Sequence, residues 1–196
     1  KDVIATTLKY VTESDNMNHL KFARYDHRQH LELLFSWMND PAEQVMFLTH
    51  SSCNSLRDFD GWIQDRLKFF YHEFFVVQTE TDQSIGIVYS YDQKIRDGHC
   101  KIAVYIAPEW RCGLGAMAAV QMLDYLFCYY PLRRVFCDIY SYNQQSLSST
   151  LQCGFEEMGR MKEYRYYNGG YHDLVLLTIS RETFENRWHA LLHPEH

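Results

Sequence analysis

The stretch Ile102-Ala103-Val104-Tyr105-Ile106-Ala107-Pro108-Glu109-Trp110-Arg111-Cys112-Gly113-Leu114-Gly115-Ala116-Met117-Ala118 decides how the rest of the chain is read. Its first five residues are apolar and rich in β-branched and aromatic side chains, which predicts a strand; Pro108 ends it, and from Gly115 onward the pattern is helical. A strand, a glycine loop and a helix start follow one another in one short run. Gly113 and Gly115 have no Cβ, so the backbone can curl tightly and turn consecutive N–H groups toward one point, where the helix adds its positive dipole end. Such a point binds phosphate.

Working outward, the helix predicted for Gly115–Tyr130 is apolar on nearly every side (Ala116, Ala119, Val120, Leu123, Leu126, Phe127), so it belongs against a sheet, and Pro131 lies just beyond it. A strand at Arg133–Tyr140 completes a βαβ unit, whose crossover sets its two strands parallel. Upstream, Phe74–Thr79, Ile85–Tyr91 and His99–Ile106, joined through Thr81–Ser84 and Asp97-Gly98, read as an antiparallel meander. Before it come a strand within His19–Tyr25 and helices at Gln29–Met38 and Leu56–Tyr71, the second presenting Phe59, Trp62, Ile63, Leu67 and Phe70 on one side, with a loop at Ala42–Asn54 between them. Downstream, a helix at Asn143–Gln152 stops at Cys153-Gly154. Strands Phe155–Tyr167 and Tyr171–Ser180 flank the Asn168-Gly169-Gly170 turn, and Arg181–Leu192 closes the chain as a helix. Residues 1–18, with a short strand around Val3–Val11, read as an extension of unclear role, and 19–196 as a single domain.

With 196 residues, 46% of them hydrophobic, the chain can bury a full core, and no Pro/Gly/Ser-rich linker divides it. The net charge of −6 and the lack of a basic block argue against nucleic acid as a partner and suit a cationic substrate. Six cysteines (53, 100, 112, 128, 137, 153) without a Cys-x-x-Cys pair point to reduced thiols and a cytoplasmic protein. No His/Cys/carboxylate spacing along the chain signals a metal site. No apolar run approaches the ~20 residues that span a bilayer, so no membrane partner is expected.

The glycine loop has three readings. A lone Gly-x-Gly is most often only a turn. As a dinucleotide fingerprint, Gly113 to Ala118 fits Gly-x-Gly-x-x-Ala, with Asp138 about 20 residues on as the ribose acid. However, Ala107–Cys112 intervenes between strand and glycine, and a meander precedes it. The third reading is acyl-coenzyme A.

The run from Ala107 to Ala116 resembles the pyrophosphate-binding motif of the GNAT superfamily of N-acetyltransferases. Asn143, Ser146, Cys153-Gly154-Phe155, Glu157-x-Gly159 and Asn168-Gly169-Gly170-Tyr171-His172-Asp173 are similar in order and spacing to its RimJ/RimL and spermidine acetyltransferase branch. The resemblance covers roughly residues 19–180. It implies an α/β fold with a mixed sheet, antiparallel then parallel, splayed after its fourth strand and flanked by helices. It implies acetyl-CoA as co-substrate and direct transfer to a primary amine: a polyamine, a protein N-terminus or a small amino compound. A fourth-strand N–H among Val104, Tyr105 and Ile106 would polarise the thioester. The N–H groups of Arg111, Cys112, Gly113, Leu114, Gly115 and Ala116 would hold the pyrophosphate, and Asn143 the pantetheine arm. A homodimer, common in that branch, is also implied, with residues 181–196 as a contributor.

The proton-transfer groups depart from the pattern of many superfamily members. Thr150 stands where a Tyr often protonates the leaving thiolate, leaving Ser146 or a water for that task. Lys101 stands where relatives often carry a Glu, and a lysine there would repel a cationic amine. His99 and Glu109 are the remaining candidate bases; His99 has the better unperturbed pKa, though a half-exposed residue at a strand start is its commoner role. Those two departures keep a second reading open, a non-catalytic acyl-CoA-binding sensor or interaction module. Cys112 beside a helix N-terminus is the one thiol with a case for reactivity. Tyr171 and Asp173 read as structural, with His172 on the opposite face. Trp37, Tyr71 and Phe70 could line an acceptor pocket, Phe70 being better explained by core packing.

Overall fold

The structure, a computed structural model, describes residues 20–47, 53–111 and 113–193. Strand β1 (Lys21–Arg24) is followed by helix α1 (His27–Asn39), a short helix α2 (Pro41–Gln44) and helix α3 (Leu56–Phe69). Strands β2 (Tyr71–Gln78), β3 (Ser84–Lys94) and β4 (His99–Ile106) form the meander. Then come a 3₁₀ turn (Pro108–Trp110), α4 (Leu114–Tyr129), β5 (Arg134–Tyr140), α5 (Gln144–Gln152), β6 (Glu156–Tyr167) and β7 (Gly170–Ser180). The last helix, α6, begins at Arg181–Phe184, widens into a π-helical turn at Glu185–His189 and ends at Ala190–Leu192.

The seven strands make one sheet in the order β1-β2-β3-β4-β5-β7-β6, antiparallel throughout except between β4 and β5. The α4 crossover explains that exception, because a strand that returns through a helix runs in its original direction. The α4 residues Val120, Leu123, Leu126 and Phe127 pack with Ile102, Val135 and Ile139 on one face of the sheet, joined by Phe184 and Trp188 of the closing helix. On the other face Leu34, Met38, Phe59 and Ile63 of α1 and α3 pack against Phe74, Val76, Ile87 and Tyr105. Each such side chain contributes about 1.5–3 kcal/mol by leaving water, which is why both helix pairs stay on the sheet.

A buried carboxylate ties four elements together. Glu73 accepts hydrogen bonds from Arg24 (2.7 Å), Tyr125 (3.1 Å) and Tyr130, while its own N–H donates to Ser90 Oγ (3.1 Å). Burial pushes its pKa up, but the hydrogen bonds from Tyr130 and Arg24 and the Arg24 charge outweigh burial and hold it below the usual value.

The expected element order is observed, with three local differences. The segment after α1 is not all loop: Asp40 accepts from the Ala42 N–H (2.8 Å) and starts a helical turn at Pro41. Phe70 is not core. It is 51% exposed one residue past the end of α3, with the Arg66 guanidinium 4.2 Å from its ring centroid. The first strand is confined to Lys21–Arg24, and the expected strand around Val3–Val11 lies outside the described residues. Cys100 and Cys153 are buried thiols, each raised to about 12 by burial. Among the described residues no helix is long and apolar enough to cross a membrane.

Candidate active site

β4 and β5 pair only through His99↔Arg134, Cys100↔Val135 and Lys101↔Phe136, although both strands continue. From Ile102 onward they part, and β5 takes its other neighbour, β7, along its whole length. A wedge opens between them, and its β4 wall is lined by main-chain groups. In the β3–β4 ladder, Ala107 donates to the Ile85 carbonyl (2.9 Å), which sets the alternation of hydrogen bonding. The N–H groups of Ala103 and Tyr105 therefore face β3, while those of Ile102, Val104 and Ile106 face the wedge. Of the three residues expected to polarise an acyl carbonyl, Val104 and Ile106 present their amides there; Tyr105 presents a side chain to the opposite face instead.

At the mouth of the wedge the chain turns through Pro108–Trp110 into the glycine loop. Gly113 has φ 94°, a left-handed conformation that a side chain would strain, and serves as the N-cap of α4. The Arg111 N–H turns back onto the Pro108 carbonyl (3.3 Å) and the Ala116 N–H onto that of Gly113 (3.1 Å). This leaves the N–H groups of Gly113, Leu114 and Gly115 without acceptors among the described residues. No atom lies within 4 Å of the position a Gly113 Cβ would take, and first-turn helix amides of this kind are anion-binding donors. Cys112 lies outside the described residues. The Arg111 side chain is engaged elsewhere: its Nε donates to the Ile106 carbonyl (2.9 Å) and its other end pairs with buried Glu43 of α2.

Helix α5 flanks the loop, its end tied to the first turn of α4 by Cys153 Sγ, which lies 3.8 Å from the Ala116 carbonyl. Asn143 is its N-cap, with Oδ1 accepting from the Ser146 N–H (3.2 Å), which leaves the amide nitrogen of that side chain as a donor for a ligand. Ser146 is half-buried in the first turn.

His99 is not brought to this site. It begins β4, edge-on to Phe136 at 5.5 Å, and Val104 to Ile106 lie about 16–23 Å farther along the strand at ~3.3 Å per residue. Glu109 is at the mouth, exposed on the 3₁₀ turn. Lys101 does not stand as a free cation: its ammonium pairs with Asp138 at 2.5 Å, so the repulsion expected of it is cancelled locally. The dinucleotide reading loses its ribose acid by the same contact. Trp37 packs 5.7 Å from the Tyr105 ring at the site, whereas Tyr71 stacks with Phe74 and Tyr89 toward the other edge of the sheet. His172 and Asp173 diverge as expected, His172 toward the Tyr167 carbonyl and Asp173 toward Lys162 and the Glu163 N–H.

Two tyrosine hydroxyls at the site escape a reading of the sequence. The buried Tyr105 hydroxyl has no partner among the described residues, and burial, followed by the Glu43 charge, raises its pKa well above the usual tyrosine value. The Tyr142 hydroxyl donates to the Val45 carbonyl (2.5 Å), bridging the β5–α5 junction to the segment after α2. Nothing in the local sequence marks either, because both depend on which face of the sheet meets which loop.

Residues 19–156 match the family described as acetyltransferase (GNAT) domain. The chain belongs to that family. It is 23% identical over 157 residues to the SPbeta prophage-derived uncharacterized N-acetyltransferase YokL of Bacillus subtilis, covering 78% of this chain and 86% of that one. It is 26% identical over 114 residues to the spermidine N(1)-acetyltransferase of Vibrio cholerae, covering 58% and 66% respectively. The crystal structure of the spermidine N-acetyltransferase from Vibrio cholerae in complex with CoA and spermine superposes with a TM-score of 0.77 at 20% identity, covering 85% of this chain and 98% of that one. The protein is thus a GNAT-fold N-acetyltransferase. Its family membership favours the enzyme over the sensor reading.

Proposed function

We propose that the protein transfers the acetyl group of acetyl-CoA directly to a primary amine of a small polycationic acceptor of the polyamine class. The observation that carries the choice of acceptor is electrostatic. Of the carboxylates around Tyr105, Glu43 is ion-paired with Arg111, so the excess negative charge comes from Glu109, exposed at the mouth of the wedge, and Asp40. An excess of carboxylate beside an unpartnered hydroxyl favours a cation over a neutral or acidic acceptor. The name of the Vibrio cholerae relative supports the same class.

In this reading the amides of Gly113, Leu114 and Gly115 hold the pyrophosphate and the Asn143 amide nitrogen donates to the pantetheine arm. The Val104 or Ile106 N–H polarises the thioester carbonyl, and such fixed main-chain donors need little reorganisation as charge develops on the oxygen. Tyr105 stays protonated, its hydroxyl buried beneath these charges. An alkylamine has a pKa near ~10.4, so a water takes its proton before attack while the Glu109 charge attracts the polycation, and Ser146 or a water returns one to the departing thiolate.

The test is thiol release from acetyl-CoA with spermidine, a neutral-bodied monoamine and a peptide N-terminus, for the natural chain and Glu109→Gln. Removing one charge about 6 Å away in water is worth ~0.7 kcal/mol, so the variant raises KM for spermidine roughly threefold and leaves the monoamine nearly unchanged. Preference for the peptide, or equal loss for every acceptor, would overturn the assignment.

A further inference from the structure

On the far side of α4 from its glycine loop, Asp124 and Cys128 stand one helical turn apart and face the closing helix. His193 Nε2 lies 3.0 Å from Asp124 Oδ1, Cys128 Sγ lies 3.9 Å from that oxygen, and all three donor atoms fall within 4.8 Å of one another. His189, one turn before His193, sets its ring centroid 4.9 Å from that of His193. The two pairs repeat the i, i+4 spacing that places two donors on one helix face.

We propose that Asp124, Cys128 and His193 form a binding site for a divalent cation of zinc-like softness, with His189 or a water as fourth ligand. The geometry supports it. Around a tetrahedral zinc, with O and N donors near ~2.1 Å and sulfur near ~2.3 Å, neighbouring O and N atoms are about 3.4 Å apart and O and S about 3.6 Å. The O–N and O–S separations need change only by about 0.4 Å and about 0.3 Å to meet those values, and the N–S separation, within 4.8 Å here, must close toward about 3.6 Å. The donor chemistry selects among metals, since a thiolate with an imidazole favours zinc over magnesium or calcium. Charge balances as well: the carboxylate and thiolate neutralise the dication, and the thiol proton is released to solvent on binding.

The cluster is separate from the acetyl-transfer site, with Asp124 about 14 Å along α4 from Gly115 at ~1.5 Å per residue. An ion there would clamp the closing helix to α4. It opens at the rim of a shallow groove lined by Phe22, Tyr125, Tyr129 and Leu192, which leaves room for a water on the fourth position. Chain-local spacing could not reveal the site, because its two halves lie 69 residues apart and meet only after the closing helix docks.

The test uses the full chain purified without an affinity tag and stripped of metal by chelating resin. Zinc is titrated in competition with a chromophoric chelator, and cobalt(II) is added separately to read thiolate-to-metal charge transfer. One saturable equivalent per chain is expected, with the cobalt band lost in Cys128→Ser and affinity falling by tenfold or more in Asp124→Asn and His193→Gln, at least the loss seen when an outer-shell partner is removed. Circular dichroism of each stripped variant guards against misfolding. Absence of saturable binding would overturn the proposal. So would affinity that survives both Asp124→Asn and Cys128→Ser, which would assign the ion to the histidine-bearing C-terminal sequence, or a charge-transfer band that survives Cys128→Ser, which would assign it to another cysteine.

Discussion

Asn143 performs two tasks that substitution can separate. Its Oδ1 caps α5 through the Ser146 N–H at 3.2 Å, and its amide nitrogen is the donor assigned to the pantetheine arm. Asn143→Ala removes both. Loss of an N-cap costs about 0.5–2 kcal/mol, and for a domain of this size each kcal/mol lowers Tm by about 2–4 °C. Loss of one ligand hydrogen bond, at about 0.5–1.5 kcal/mol, weakens acetyl-CoA binding roughly two- to thirteenfold. Asn143→Asp keeps a capping oxygen, so its Tm stays within about 2 °C of the natural chain, yet it has no donor for the pantetheine carbonyl and binds at least as weakly as the alanine variant. Calorimetric titration with acetyl-CoA, paired with thermal melts followed by circular dichroism, reads both quantities on the same samples. If the Asn143→Asp variant melts and binds like the natural chain, the reasoning is refuted, since the carboxamide would then serve α5 alone.

Two further perturbations address the scaffold. A Cβ on Gly86 would sit 2.2 Å from the Tyr105 carbonyl oxygen and 2.7 Å from Ile106 Cδ1, so Gly86→Ala must push β3 away from β4 just before the loop. A destabilisation of about 3 kcal/mol, at the upper end of overpacking costs, together with weaker acetyl-CoA binding is expected in urea unfolding and titration; an unchanged midpoint would mean that the strands yield freely. Glu73 has a pKa below its unfolded value, so its contribution to stability is fully present above the unfolded pKa and is lost as pH falls through the folded one. Glu73→Gln should cost about 1–3 kcal/mol near neutrality and flatten the decline of stability below pH ~4.5, read by urea unfolding across that range; parallel pH profiles for the two proteins would contradict the assignment.

Much of the site is legible in the sequence because it is local. The glycine loop and the α4 helix are each specified within one turn or one strand end, where residue type and backbone conformation are directly coupled. The points of disagreement have the opposite character. His99 is near Val104 in sequence, yet an extended strand carries it away from the site. Lys101 reads as a lone cation along the chain because its partner Asp138 sits on the neighbouring strand, within reach only because β4 and β5 pair there before parting.

From the sequence alone come the element order, the βαβ unit, the glycine loop and the family, because hydrophobic period and glycine placement act over a few residues. Tertiary structure decided which amides of β4 face the wedge, which charges surround Tyr105, and that Asp124, Cys128 and His193 converge. Those depend on strand register and helix docking, and both are settled by the packing of distant segments around a common core.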